Sequence, residues 1–124
     1  HGYRSGFEHK VANQLTENKT KFEYETTVID YIKPQTNHTY TIDFTLPNGI
    51  LIETKGRWVL EDRKKHLLIK KQHPELDIRM VFQSAKTKIR KGSKTTYGMF
   101  CDKHDILWSE KTIPESWLRE KKSQ

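Results

Sequence analysis

Residues 41–56 read TIDFTLPNGILIETKG. Asn48-Gly49 stands between two runs of apolar and β-branched residues, the strongest short-range signal for a β-hairpin. A Pro47-Asn48-Gly49 loop sets Leu46 opposite Ile50, Phe44 opposite Ile52 and Asp43 opposite Glu53. Side chains alternate along a strand, so Phe44, Leu46, Ile50 and Ile52 line one face and Asp43, Glu53 and Lys55 the other. A shorter loop would slide the register by one and break this pairing. Directly opposed residues have Cβ atoms about 4.5–5.5 Å apart. Two carboxylates that close repel unless a proton or a cation lies between them.

The rest of the chain reads as elements that could pack on this hairpin. Ser5–Asn18 predicts a helix: Phe7, Val11 and Leu15 recur at helical spacing, and Ser5 with Glu8 forms a capping-box signature. Lys21–Ile32 is rich in β-branched and aromatic residues and predicts a strand. KPQTNH follows as an extended connector. A second helix is predicted from about Glu61 to Gln72, stopped by Pro74, and then a short strand over Asp77–Phe82. Ser84–Lys94 is a basic loop, Thr96–His104 a third helix and Ile106–Trp108 a last strand. The 124 residues predict a single domain over 1–124, of mixed α/β class with helices packed on a sheet.

Composition narrows the function. Charged residues make up 31% of the chain, the formal charge is +7 and the pI about 9.5. Such an excess is either a solvated surface or the footprint of a polyanion binder, most often of nucleic acid. Cys101 is the only cysteine, which excludes an intrachain disulfide and a cysteine-based zinc cluster and fits a reducing cytoplasm. No apolar run approaches the ~20 residues that span a membrane, and no signal peptide is visible. The chain begins at His1 rather than Met, leaving open a segment upstream.

Two readings fit the charged face of the hairpin. One is a solvent-exposed face steadied by a Lys–Glu contact. The other is a metal-nuclease pattern, an Asp and then Glu-x-Lys across a hairpin: hard cations such as Mg²⁺ favour carboxylate and carbonyl oxygens, and a nearby lysine can orient water and stabilise charge on phosphate. Glu8 adds weight to the second. It caps the first helix, yet at about 100° per residue it falls inside the apolar arc of that helix, where an acid is costly unless paired or bound to metal. Lys86, Lys88, Arg90, Lys91 and Lys94 form one basic run, and Arg63-Lys64-Lys65 with Lys70-Lys71 another. Either a solvated surface or phosphate contact accounts for them. His38, just before the hairpin, is a candidate phosphate contact or a structural strand residue. His66 and His73 have no partner at metal-ligand spacing. Trp58, Trp108 and Trp117 read as core or interface anchors.

RSGFE, KFEYE, NHTYTIDF, LPNGI, ETKG, DRKKHLLI, QHPELDIR and the later KGS, YG and FC-x-KH stretches together resemble the phage endonuclease I family of Holliday-junction resolvases, within the PD-(D/E)xK nuclease superfamily. The likeness covers nearly the whole chain. It implies a restriction-endonuclease-like mixed sheet flanked by helices, in an intertwined, domain-swapped homodimer with residues 33–37 as the bridge. It implies a catalytic set of Glu8, Asp43, Glu53 and Lys55. It further implies two Mg²⁺ (or Mn²⁺) ions per site, one on Asp43, Glu53 and the Thr54 backbone carbonyl, the other between Glu8 and Asp43. Lys55 then positions or activates the water, and hydrolysis leaves 5′-phosphate and 3′-hydroxyl ends. In the swapped dimer Glu8 completes the partner's site. The basic runs and the position of His38, read on their own, leave His38, Lys64, Lys65, Lys86, Lys88, Arg90, Lys91 and Lys94 as candidate DNA contacts. Ile42-Asp43 replaces the superfamily's Pro-Asp, and the family's basic amino-terminal extension is absent.

The leading expectation is a metal-dependent endonuclease that resolves four-way and branched DNA by paired nicks, working in the host cytoplasm if phage-encoded. The alternatives are a nicking enzyme on duplex DNA, sequence-specific in the manner of homing enzymes, and a DNA-binding module without catalysis. The acids oppose the last, since they repel a phosphate backbone unless metal-bound.

Overall fold

The computed structural model describes residues 2–33 and 36–122. Its elements run α1 (Gly6–Glu17), β1 (Glu23–Tyr24), β2 (Val28–Lys33), β3 (Thr36–Thr41), β4 (Phe44–Thr45), β5 (Leu51–Lys55), α2 (Leu60–Gln72), β6 (Ile78–Phe82), α3 (Tyr97–Lys103), β7 (Trp108–Glu110) and α4 (Glu115–Arg119). A five-stranded sheet has the order β1-β4-β5-β6-β7, and β2 and β3 form a separate two-stranded ribbon. The β1/β4 and β4/β5 pairs are antiparallel, while β5/β6 and β6/β7 are parallel. The parallel pairs need crossovers, which α2 and α3 supply. The mixed sheet with flanking helices is the architecture expected from the element order.

The hairpin has the expected register. Phe44 pairs with Ile52 and Thr45 with Leu51, and the Leu46 N–H donates to the Ile50 carbonyl at 2.9 Å. Gly49 sits at φ +90, where the absence of a Cβ matters. Phe44, Leu46, Ile50 and Ile52 are buried against Val11, Ala12 and Leu15 of α1, with Ile113 and Trp117 closing the cluster. Across the sheet, Trp58, Met80, Phe82, Tyr97 and Cys101 form a second cluster. Ile29 and Tyr31 of the ribbon, with Ile42, Leu51 and Ile69, form a third. Trp58 and Trp117 are thus core residues, as their size suggests.

The strand predicted over Lys21–Ile32 is instead two. Glu25 takes a left-handed backbone, φ 52, and its N–H donates to the Asp43 carbonyl at 3.0 Å. That kink ends β1 and sends β2 into the ribbon. There β2 pairs antiparallel with β3 of the same chain, out to Lys33 opposite Thr36. The connection expected to bridge two subunits includes Pro34 and Gln35, which lie outside the described residues. The last strand is shifted, starting at Trp108, and α4 was not foreseen. No helix among the described residues is long and apolar enough to cross a membrane.

The α3–β7 contact is tight: a Cβ on Gly98 would lie 2.7 Å from the Trp108 ring, whereas one on Gly6 meets nothing within 4 Å. Gly98→Ala is therefore expected to destabilise by about 1–3 kcal/mol, and Gly6→Ala to be neutral or to stabilise by up to about 1 kcal/mol. Urea unfolding of the two variants checks this.

Candidate functional site

Four acids and a lysine gather where α1, β1, the start of β4 and the end of β5 meet. Ser5 caps α1 by accepting from the Glu8 N–H at 3.0 Å. The Glu8 carboxylate does not complete the capping box. Its Oε1 accepts instead from the Arg4 N–H at 2.9 Å and the Tyr24 hydroxyl at 2.6 Å, which turns it off the helix toward β1. Glu8 is buried, as its place in the apolar arc implied.

Asp43 stands just before β4. Its backbone holds the predicted position opposite Glu53, since its N–H donates to Glu53 Oε1 at 2.8 Å. Its carboxylate, though, leaves the face shared by Glu53 and Lys55. Oδ2 accepts from the Thr54 N–H and the Thr54 hydroxyl, each at 3.0 Å. Residues outside the ladder are not bound by its alternation, and Asp43 uses that freedom to reach Glu8. One carboxylate oxygen from each of Glu8, Glu25 and Asp43 lies within 4.8 Å of the others. Glu25 was not foreseen as a member. It enters because its left-handed turn returns the chain to Asp43, and the Arg4 guanidinium pairs with it at 2.9 Å.

On the other face, Glu53 is 2% exposed. The Tyr40 hydroxyl donates to its Oε2. Lys55, partly buried, pairs with Asp62 of α2 at 3.4 Å. Sequence gave no sign of Tyr40 or Asp62. The Thr54 N–H points toward Asp43, and in a strand the carbonyl of a residue points the same way as its N–H. The next carbonyl, of Lys55, faces β6 and accepts from Gln83 at 3.0 Å. The Thr54 carbonyl is therefore aimed at the acids. At Ile42 the N–H donates to Thr27 at 2.8 Å, a bond that the superfamily's proline cannot make.

Burial, then the nearby Asp43 charge, pushes the Glu53 carboxyl up to about 8, against the Tyr40 and Asp43 donors. Burial also raises Asp43, with Glu8 adding to it and the Thr54 N–H opposing. These groups hold protons more readily than ordinary surface acids.

The basic candidates divide. Lys64 and Lys65 line a groove of about 480 Å³ with Lys33, Glu61 and Lys71. The Lys65 ammonium lies 5.6 Å from the Tyr40 ring centroid. Lys86, Lys88, Arg90, Lys91 and Lys94 are exposed on the loop before α3. His38 is partly buried in β3, bonded to Thr36 at 2.8 Å and stacked on Tyr31. Arg63, which the basic run suggested as surface, is buried. It donates to the carbonyls of Trp58 and Ile89, each at 3.2 Å, and so anchors the basic loop to α2. His66 is buried too, and its burial lowers its pKa to about 4; His73 bonds the Asp30 carbonyl at 2.5 Å.

The sequence profile of phage endonuclease I matches residues 1–124. The chain belongs to the phage endonuclease I family. Among its relatives, Endonuclease I of Escherichia phage T7 is 57% identical over 122 residues, covering 98% of this chain and 82% of the relative. Endodeoxyribonuclease 1 of Enterobacteria phage T3 is 55% identical over 122 residues, covering 98% and 80%.

The Glu53 carboxyl gives a pH prediction. Its ordinary value is 4.5 and its folded value about 8. Across this window the folded state keeps a proton that the unfolded chain has lost, so stability falls as pH rises. From pH 6.5 to 8 the Glu53 carboxyl should cost the chain, in chelator, about 1–2 kcal/mol, and deprotonation of unfolded His66, with an ordinary value of 6.5 and a folded value of about 4, returns only a few tenths of that. Glu53→Gln should remove most of that slope in urea unfolding at several pH values.

Proposed function

We propose that this chain is a divalent-metal-dependent DNA endonuclease that resolves four-way and branched junctions. The observation that carries the reading is the meeting of the Glu8, Glu25 and Asp43 carboxylates, with buried Glu53 bonded to the Asp43 N–H, in a protein with a basic groove and a basic loop. The relatives' names, endonuclease and endodeoxyribonuclease, fit the same substrate class.

The donor set suits Mg²⁺ or Mn²⁺. All its atoms are hard oxygens, the Glu8, Glu25 and Asp43 carboxylates are closely spaced, and buried Asp43 and Glu53 resist ionisation, so positive charge stabilises the site. Asp43, Glu53 and the Thr54 carbonyl would hold one ion, and Glu8 and Asp43 a second, with Glu25 alongside. When bound, such ions neutralise charge on the scissile phosphate and make water more acidic.

The remaining work falls to the chain's own residues. The Lys55 ammonium orients the attacking water and stabilises the negative charge that builds on the phosphate oxygens. Asp62 keeps the Lys55 side chain beside the site. Lys64, Lys65 and the basic loop hold the backbone on either side, and His38 stays a candidate contact at the ribbon. Water forms a new P–O bond, the bond from phosphorus to the 3′ oxygen breaks, and protonation of that oxygen leaves 5′-phosphate and 3′-hydroxyl ends.

The same reading makes the active form a homodimer. In the single chain described, Glu8 meets Asp43 of its own chain. Exchange of identical elements between subunits replaces each such contact by its equivalent in trans. A crossing at 33–37 would then give two joined sites and paired nicks across a junction.

Cleavage of a four-way junction and of linear duplex of the same sequence, with Mg²⁺ and with EDTA, tests the substrate and the metal. Faster junction cleavage that EDTA abolishes is expected. Equal rates on both DNAs favour the duplex-nicking enzyme, and activity in EDTA contradicts the metal. For the exchange, Glu8→Ala and Glu53→Ala chains, each inactive by at least about 100-fold, are unfolded together and refolded. A swapped heterodimer gathers both lesions in one site and should regain single-strand nicking from the other. An unswapped one leaves both sites damaged and regains none.

A further inference from the structure

We propose that Tyr40 is a positioning residue for Glu53, setting the plane of that carboxylate for its cation; this rests on the metal-dependent reading above. Rotation about the terminal bond of a glutamate is soft, so burial alone does not fix its two oxygens. In this site each oxygen has one donor. The Asp43 N–H holds Oε1 at 2.8 Å, and the Tyr40 hydroxyl holds Oε2. Each oxygen keeps a further lone pair for a cation.

Tyr40 is well placed for this work. It comes from β3, opposite Ile29 of β2, in the ribbon outside the main sheet. Its ring packs on the cluster of Ile29, Tyr31, Ile42, Leu51 and Ile69, and the Lys65 ammonium lies over it at 5.6 Å. The phenol is therefore held by the ribbon and by α2 as well as by Leu51 of the strand that carries Glu53. The orientation of Glu53 thus depends on the seating of the ribbon that leads into residues 33–37. Hydrogen-bond partners of this kind orient metal-binding carboxylates and tune their affinity.

Tyr40→Phe removes the hydroxyl and keeps the ring, its packing and the Lys65 contact. Mn²⁺ titrated calorimetrically into the DNA-free variant is expected to bind about 10–100-fold more weakly than to wild type. Junction cleavage at limiting Mn²⁺ should fall by a similar factor and return at saturating Mn²⁺, with KM for DNA unchanged. A Tm in chelator close to wild type shows that the fold is intact. Wild-type affinity for Mn²⁺ in Tyr40→Phe overturns the inference, and so does a cleavage defect that saturating Mn²⁺ does not restore. Glu53→Gln, titrated alongside, should bind Mn²⁺ far more weakly than wild type. If it binds as wild type does, the cation reading itself fails. If it fails to bind while Tyr40→Phe is unaltered, only the role of Tyr40 falls.

Discussion

The constraint on which the site depends is the carboxylate of Glu53, placed inside the sheet where water cannot reach it. An ionised acid in such a place costs several kcal/mol unless it is paired or fully hydrogen-bonded. The chain answers with the Asp43 N–H and the Tyr40 hydroxyl, one on each oxygen. Neither carries a full positive charge, and the Lys55 ammonium is turned to Asp62. The carboxyl is left pushed up to about 8. A fold selected for stability alone would put an apolar residue there. Burial that the Lys55 charge and two neutral donors only partly offset therefore marks Glu53 as kept for something other than packing.

Asp43 is the joint between the two faces of the sheet. Its N–H serves Glu53, its carbonyl accepts from Glu25 and its carboxylate is held by Thr54 while facing Glu8. That single residue links α1 and β1 on one side to the ribbon and α2 on the other. Moving any of these elements changes the spacing of the acids. A site built this way is set by tertiary packing.

Much of this was legible in the sequence where the determinants are local. Asn48-Gly49 fixed the hairpin and its register. Ser5 marked the start of α1, and helical periodicity placed Glu8 on its inward face. What was not legible depends on distant contacts or on rare backbone. A glutamate is no turn former, so nothing announced the left-handed Glu25 that splits the predicted strand and brings a further acid to the site. Asp43 was assigned to the Glu53 face by strict alternation, which fails just outside the ladder. Tyr40 and Asp62 reach the site from β3 and α2, with no spacing that links them to Glu53 or Lys55. Arg63 looked like one of a basic surface run because charge patterns do not reveal which cation has buried carbonyls to serve.

On the proposed function, these acids are gathered to hold a divalent cation. Thermal unfolding of wild type and of Asp43→Asn across a Mg²⁺ titration tests it most directly, because a ligand that binds only the folded state raises Tm with its concentration. A rising Tm for wild type and a flat one for Asp43→Asn are expected. Equal shifts in the two proteins, or no shift in wild type at Mg²⁺ concentrations that support cleavage, would contradict it.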